Sequence, residues 1–76
     1  MPTVLRIRGF KFFFYSQEGN EPPHIHVEKG DGAAKFWLEP VRLAYNEGFK
    51  KQELSAIIVM VERHETELLR AWNKIE

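Results

Sequence analysis

A chain of 76 residues without cysteine excludes a disulfide framework, a thiolate metal site and a cysteine nucleophile. Lys plus Arg equals Asp plus Glu at 11 each, so formal net charge is zero and nucleic-acid binding would need a local patch rather than overall charge. So short a chain buries only about 60% of its unfolded surface. That demands a dense core, which a 43% hydrophobic share rich in aromatic rings can supply within a single domain spanning residues 1–76.

The opening Met-Pro-Thr-Val-Leu-Arg carries charge within its first residues, with no uninterrupted apolar run long enough for a signal peptide. No stretch approaches the roughly 20 apolar residues that span a bilayer, so a cytoplasmic location without membrane association is expected. Residues 3–8 are rich in β-branched and apolar side chains and read as a strand. Gly9 punctuates, and the almost wholly aromatic run 10–15 predicts a second strand, hairpin-paired with the first or continuous with it through a bulge. Its rings are needed inside: Phe12 and Phe14 are expected in the core, while Phe13 and Tyr15 fit either face.

Residues 16–23, Ser-Gln-Glu-Gly-Asn-Glu-Pro-Pro, are a cluster of turn formers ending in two prolines and form the most definite loop. Residues 24–29 alternate, placing His24, His26 and Glu28 on one face of a strand and Ile25 and Val27 on the other. Gly30-Asp31-Gly32 is a turn signal. Residues 33–39 return as a strand with Lys35 and Trp37 opposite Ala34, Phe36 and Leu38, ended by Pro40. Residues 41–45 predict a short edge strand closed by Asn46-Glu47-Gly48.

From residue 49 the period changes. Leu54, Ile57, Ile58, Val61, Leu68, Trp72 and Ile75 recur at helical spacings and form one apolar stripe, which His64 and Glu65 interrupt. The expected fold is therefore α+β, an antiparallel sheet of about four to five short strands packed against one long C-terminal amphipathic helix, with residues 63–66 as the place for a kink.

Pro-Pro-His24-Ile-His26-Val-Glu28 carries the first candidate chemistry. Imidazole exchanges protons near neutral pH and is the commonest metal ligand, and side chains at i and i+2 of a strand project together. His24 and His26 are thus candidates for a general acid and base, or for divalent-metal ligands with Glu28, or for hydrogen bonds that fix the loop onto the sheet. Cupin metal sites also use His-x-His on a strand, but their acidic ligand follows at a longer spacing and their barrel needs a longer chain. No resident cofactor is expected.

The second candidate is the basic, aromatic stretch 8–15. It is similar to the RNA-recognition-motif signature, yet Lys11 stands where Gly or Ala is required, and the helix and strand that must precede it are missing. A looser surface remains, in which exposed rings such as Tyr15, flanked by Arg6, Arg8 and Lys11, would bind a single-stranded nucleic acid, and Arg8, Lys35 or Lys11 would hold phosphate if the histidines cleave RNA. No phosphate-binding glycine loop or serine nucleophile elbow is present.

Taken together, Met-Pro-Thr-Val-Leu-Arg-Ile, Phe-Phe-Phe-Tyr-Ser at 12–16, Glu-Gly-Asn-Glu-Pro-Pro-His-Ile-His-Val at 18–27, Ala-Lys-Phe-Trp-Leu at 34–38 and the segment 68–72 resemble a family of small bacterial proteins classed as domain of unknown function 4160. The resemblance covers nearly the whole chain and implies no established activity. It also implies a neighbouring gene for a second small domain, an arrangement similar to toxin–antitoxin pairs. The expected function is an interaction module of such a two-gene system, binding a partner protein or RNA. The alternatives are a His-dependent ribonuclease-type toxin and a divalent-metal-binding protein.

Overall fold

The computed structural model describes residues 3–15 and 20–75, so the first half of the predicted loop, residues 16–19, lies outside the described residues. Five strands, β1 (Thr3–Ile7), β2 (Phe10–Phe13), β3 (His24–Lys29), β4 (Gly32–Leu38) and β5 (Val41–Glu47), form one antiparallel meander in the order β1-β2-β3-β4-β5. Two helices follow, α1 (Lys51–Arg63) and α2 (Glu65–Ile75).

Local turn chemistry explains the meander. Ile7 pairs with Phe10, leaving Arg8 and Gly9 as a two-residue loop, and both have positive φ, at 52° and 85°. That is the primed turn whose twist matches the flanking strands. Lys29 pairs with Gly32 around Gly30-Asp31, with Gly30 at φ 58°. Leu38 pairs with Val41 around Glu39-Pro40, whose peptide bond is cis. Each connection is too short for anything but an antiparallel return.

Strand alternation then sorts the side chains. Along β4 buried and half-buried residues alternate without exception: Gly32, Ala34, Phe36 and Leu38 point to the core, Ala33, Lys35 and Trp37 to the other face. Ile25 and Val27 of β3 join the core side, as do Phe10 and Phe12 of β2 and the following Phe14. The helices close it with Ile57, Met60, Val61, Leu68 and Trp72. Each fully buried Phe, Ile or Leu contributes about 1.5–3 kcal/mol relative to an exposed position.

The expected single helix is two. His64 separates them at φ −114° and ψ 16°, inside the window where the stripe is interrupted. The reason is local: the His64 N–H is shared between the Met60 and Val61 carbonyls at 3.2 and 3.1 Å, and its Nδ1 lies 2.9 Å from the Met60 oxygen. The His64 carbonyl accepts from Leu68 N at 2.9 Å and starts the next helix. A polar residue at a stripe position thus satisfies itself on the backbone and lets α2 aim Leu68 and Trp72 separately.

The β5–α1 connection is fixed by Asn46, whose Oδ1 accepts from Phe49 N at 3.2 Å and whose Nδ2 donates to Phe49 O at 3.1 Å. Glu53 then reaches back to accept from Lys50 N at 2.9 Å and caps α1. Phe49 so placed packs on Phe10, with ring centroids 5.9 Å apart, and lies flat over Gly32. A Cβ on Gly32 would fall 2.5 Å from the Phe49 ring, closer than van der Waals contact permits. Gly32→Ala is therefore expected to lower stability by about 1–3 kcal/mol, measured by urea denaturation, and Phe49→Leu in the same chain should recover part of that loss.

Candidate functional site

The helices cover one face of the sheet, and the strand registers define the other face row by row. Phe13, His26, Lys35 and Tyr45 lie side by side across β2 to β5. On one flank run Arg6, Lys11, Glu28, Ala33 and Glu47, and on the other His24, Trp37 and Arg42. Between the rows lies a concave depression of about 300 Å³, bordered by Phe13, Tyr15, His26, Glu28, Lys35 and Tyr45.

His24 and His26 share this face, as their spacing predicts, but their surroundings differ. His24 is 0% exposed. Its ring sits 4.8 Å from that of Trp72, 5.8 Å from Trp37 and 5.2 Å from His26. Because Trp72 also meets Phe14 of the core at 5.7 Å, the indole wraps the margin of the sheet and seals His24 there. His24 Nδ1 lies 2.9 Å from the Pro22 carbonyl, and since a carbonyl only accepts, Nδ1 carries the proton. The Glu21 carboxylate is 3.7 Å from the same nitrogen. The sealed imidazole thus ties the Pro-Pro segment to the sheet.

His26 is half-buried and borders the depression. Its ring stacks on Phe13 at 5.6 Å and 25° and meets Tyr15 edge-on at 4.4 Å. These rings explain why Phe13 is only 2% exposed on the face away from the helices. Tyr15 and Tyr45 remain open at 39% and 54%.

The cations are arranged around the rings. Lys35 pairs with Glu21 and holds its Nζ 4.7 Å from the Trp37 centroid, while Lys11 Nζ lies 5.4 Å from the Phe13 centroid. Arg8, expected beside them, is elsewhere: it occupies the β1–β2 turn and borders a groove with Ile7, Val59, Met60, Arg63 and His64. The turn reverses the chain between Arg6 and Lys11 and leaves Arg8 outside the strand alternation. His24, His26 and Glu28 do not gather as a metal-ligating group, and among the described residues no set of three or more His, Cys, Asp or Glu does so. Glu28 follows His26 along the strand, whereas the His24 ring turns to Trp72.

Sequence reasoning missed Tyr45, Glu47 and Glu21. Tyr45 reaches the face only because β5 carries an irregularity opposite Lys35 and Phe36, a register shift that alternation alone does not reveal. Its hydroxyl donates to Glu47 Oε1 at 2.6 Å. That hydrogen bond, followed by the carboxylate charge, raises the Tyr45 pKa above the ordinary 10.0.

The family described as Domain of unknown function (DUF4160) matches residues 9–73. No curated protein and no solved structure matches the chain.

Two outcomes follow from this geometry. His24→Ala removes a sealed, hydrogen-bonded ring and should cost roughly 2–4 kcal/mol in denaturant unfolding, whereas His26→Ala should cost about 1 kcal/mol. In a phenolate absorbance titration Glu47→Ala, which removes both the acceptor and the charge, should lower the Tyr45 midpoint, and an unchanged midpoint would show that the Tyr45–Glu47 bond is not formed in solution.

Proposed function

This chain belongs to the family described as domain of unknown function DUF4160, a description that assigns no activity, and from its geometry we propose that it is an interaction module whose uncovered sheet face binds a partner protein. The observation that carries the reading is the concave aromatic face itself. Tyr15 and Tyr45 stand open to solvent around a depression that half-buried His26 also borders, on the face opposite the helix-covered core of Phe12, Ile25, Val27 and Phe36. Rings of this kind give large contact area at low conformational cost, and they dominate binding energy where they meet a complementary pocket or side chain.

Charge favours a protein over RNA as the occupant. RNA binding draws its strength from cations that neutralise phosphates. The face instead mixes Arg6, Lys11, Lys35 and Arg42 with Glu21, Glu28 and Glu47, and Lys35 is already engaged by Glu21. The two-gene, toxin–antitoxin-like setting rests on the family resemblance alone, and on this reading the partner is a small protein encoded by an adjoining gene.

His-dependent RNA cleavage is less well supported. A proton-transfer pair needs both imidazoles within reach of substrate, and His24 is covered by Trp37, Trp72 and His26. His26 and Tyr15 then serve as contact surface, with Lys35 and Glu28 as the charged rim.

The test is co-expression with the adjoining gene product, size-exclusion chromatography and titration calorimetry. A complex is expected, weakened at least tenfold, about 1.4 kcal/mol, by Tyr15→Ala or Lys35→Glu. Separate elution of the two proteins would remove the partner. A complex indifferent to both substitutions would place the interface elsewhere, and salt-dependent binding of single-stranded oligonucleotides in a parallel titration would reassign the face to RNA.

A further inference from the structure

The sheet has two edges, and they are not equivalent. β1, at one edge, carries Arg6 as its single charged residue. β5, at the other, is seven residues long, and every residue from Arg42 to Glu47 is exposed, with Leu43 at 42% and Tyr45 at 54%. Neither proline nor lysine lies within it, and its one departure from a regular edge is the irregularity opposite Lys35 and Phe36. Its outward N–H and C=O groups are a template for another strand.

The sequence of β5 is self-complementary in one register. In a regular strand positions 42 and 47 face opposite sides, because five steps is an odd number. The shift between Lys35 and Phe36 corrects this: Arg42 pairs with Trp37 and Glu47 with Ala33, four residues apart on β4, so both lie on the open face. Leu43 and Asn46, paired with Phe36 and Ala34, lie together on the opposite side. Two copies of β5 laid antiparallel about a dyad can then set Arg42 against Glu47 and Leu43 against Asn46, each of these pairs on a matching face, with Ala44, which the register shift leaves without a partner on β4, and Tyr45 at the centre. Arg42 forms no ion pair among the described residues, and Glu47 uses Oε1 for Tyr45, which leaves its second oxygen for a guanidinium. Two copies of β1 would instead join edges whose charge is only positive.

We propose that the chain forms a two-fold homodimer by antiparallel β5–β5 pairing, with reciprocal Arg42–Glu47 ion pairs fixing the register. The pairing is isologous and closes at two subunits. It joins the two sheets edge to edge, covers Leu43 and Tyr45, and sets two aromatic depressions on one continuous face. Tyr45 and Glu47 border the depression as well as this edge, whereas Tyr15 and Lys35 lie off β5, so Tyr15→Ala and Lys35→Glu should weaken partner binding and leave the dimer intact.

Light scattering of the full chain across a concentration series tests it, with far-UV circular dichroism confirming that each variant is folded. The expected mass rises to twice the 9.0 kDa of one chain. Arg42→Glu and Glu47→Arg should each give monomers, by placing like charges opposite one another at both ends of the pairing. The double variant R42E/E47R restores opposite charges and should recover the dimer. A wild type that stays monomeric throughout, single variants that dimerise as well as wild type, or a double variant that remains monomeric would overturn the proposal, as would growth beyond two chains.

Discussion

A sheet covered on one face only must commit every strand residue to one of two environments, and the rest of this structure depends on that division. β3 and β4 obey it most fully, with Ile25, Val27, Ala34, Phe36 and Leu38 beneath the helices and His26, Glu28, Ala33, Lys35 and Trp37 on the other side. The constraint reaches beyond the strands. Gly32 has no side chain because Phe49 occupies the space above it, and Phe49 is there because Asn46 holds both its backbone groups. Three of the four strand connections are two-residue turns, and among the described residues the far face is finished by strand side chains with Tyr15 and Glu21 from the β2–β3 connection.

How it is finished sets what it can do. Rings cover rings: Phe13 disappears beneath Tyr15, His26 and the Lys11 side chain, and His24 between Trp37 and Trp72. Among the described residues no buried side-chain nitrogen or oxygen lacks a partner. The most deeply placed imidazole therefore has a structural task, joining the Pro-Pro segment, the sheet margin and α2, while the shallower one borders the depression. Chemistry by a histidine pair would need both exposed. The proposed role as an interaction module rests on this mixed-sign rim around half-open rings.

Much of this was legible in the sequence. Alternation in residues 24–29 and 33–39 identified the strands and their faces, and the change of period after residue 49 identified the helical layer, because side-chain direction follows directly from backbone geometry. What alternation could not convey was the contribution of neighbours from distant segments. His24 and His26 look equivalent in sequence, and Trp72, arriving from the end of α2, makes them unequal together with Trp37 and the Pro22 carbonyl. Tyr45 was hidden by an irregularity in β5, Arg8 was displaced by a turn that takes it out of alternation, and the helix break depended on a backbone bond made by the His64 ring. Each is a tertiary or local hydrogen-bonding effect that outweighs the periodic pattern.

The central claim is that the two histidines of β3, two residues apart, belong to different environments, one sealed and one at an open surface. Carbethoxylation of the native protein, followed by peptide mass spectrometry, measures this directly. The account predicts rapid modification of His26 and protection of His24 until the chain is unfolded in denaturant. Equal rates at both positions, or faster reaction at His24, would contradict it.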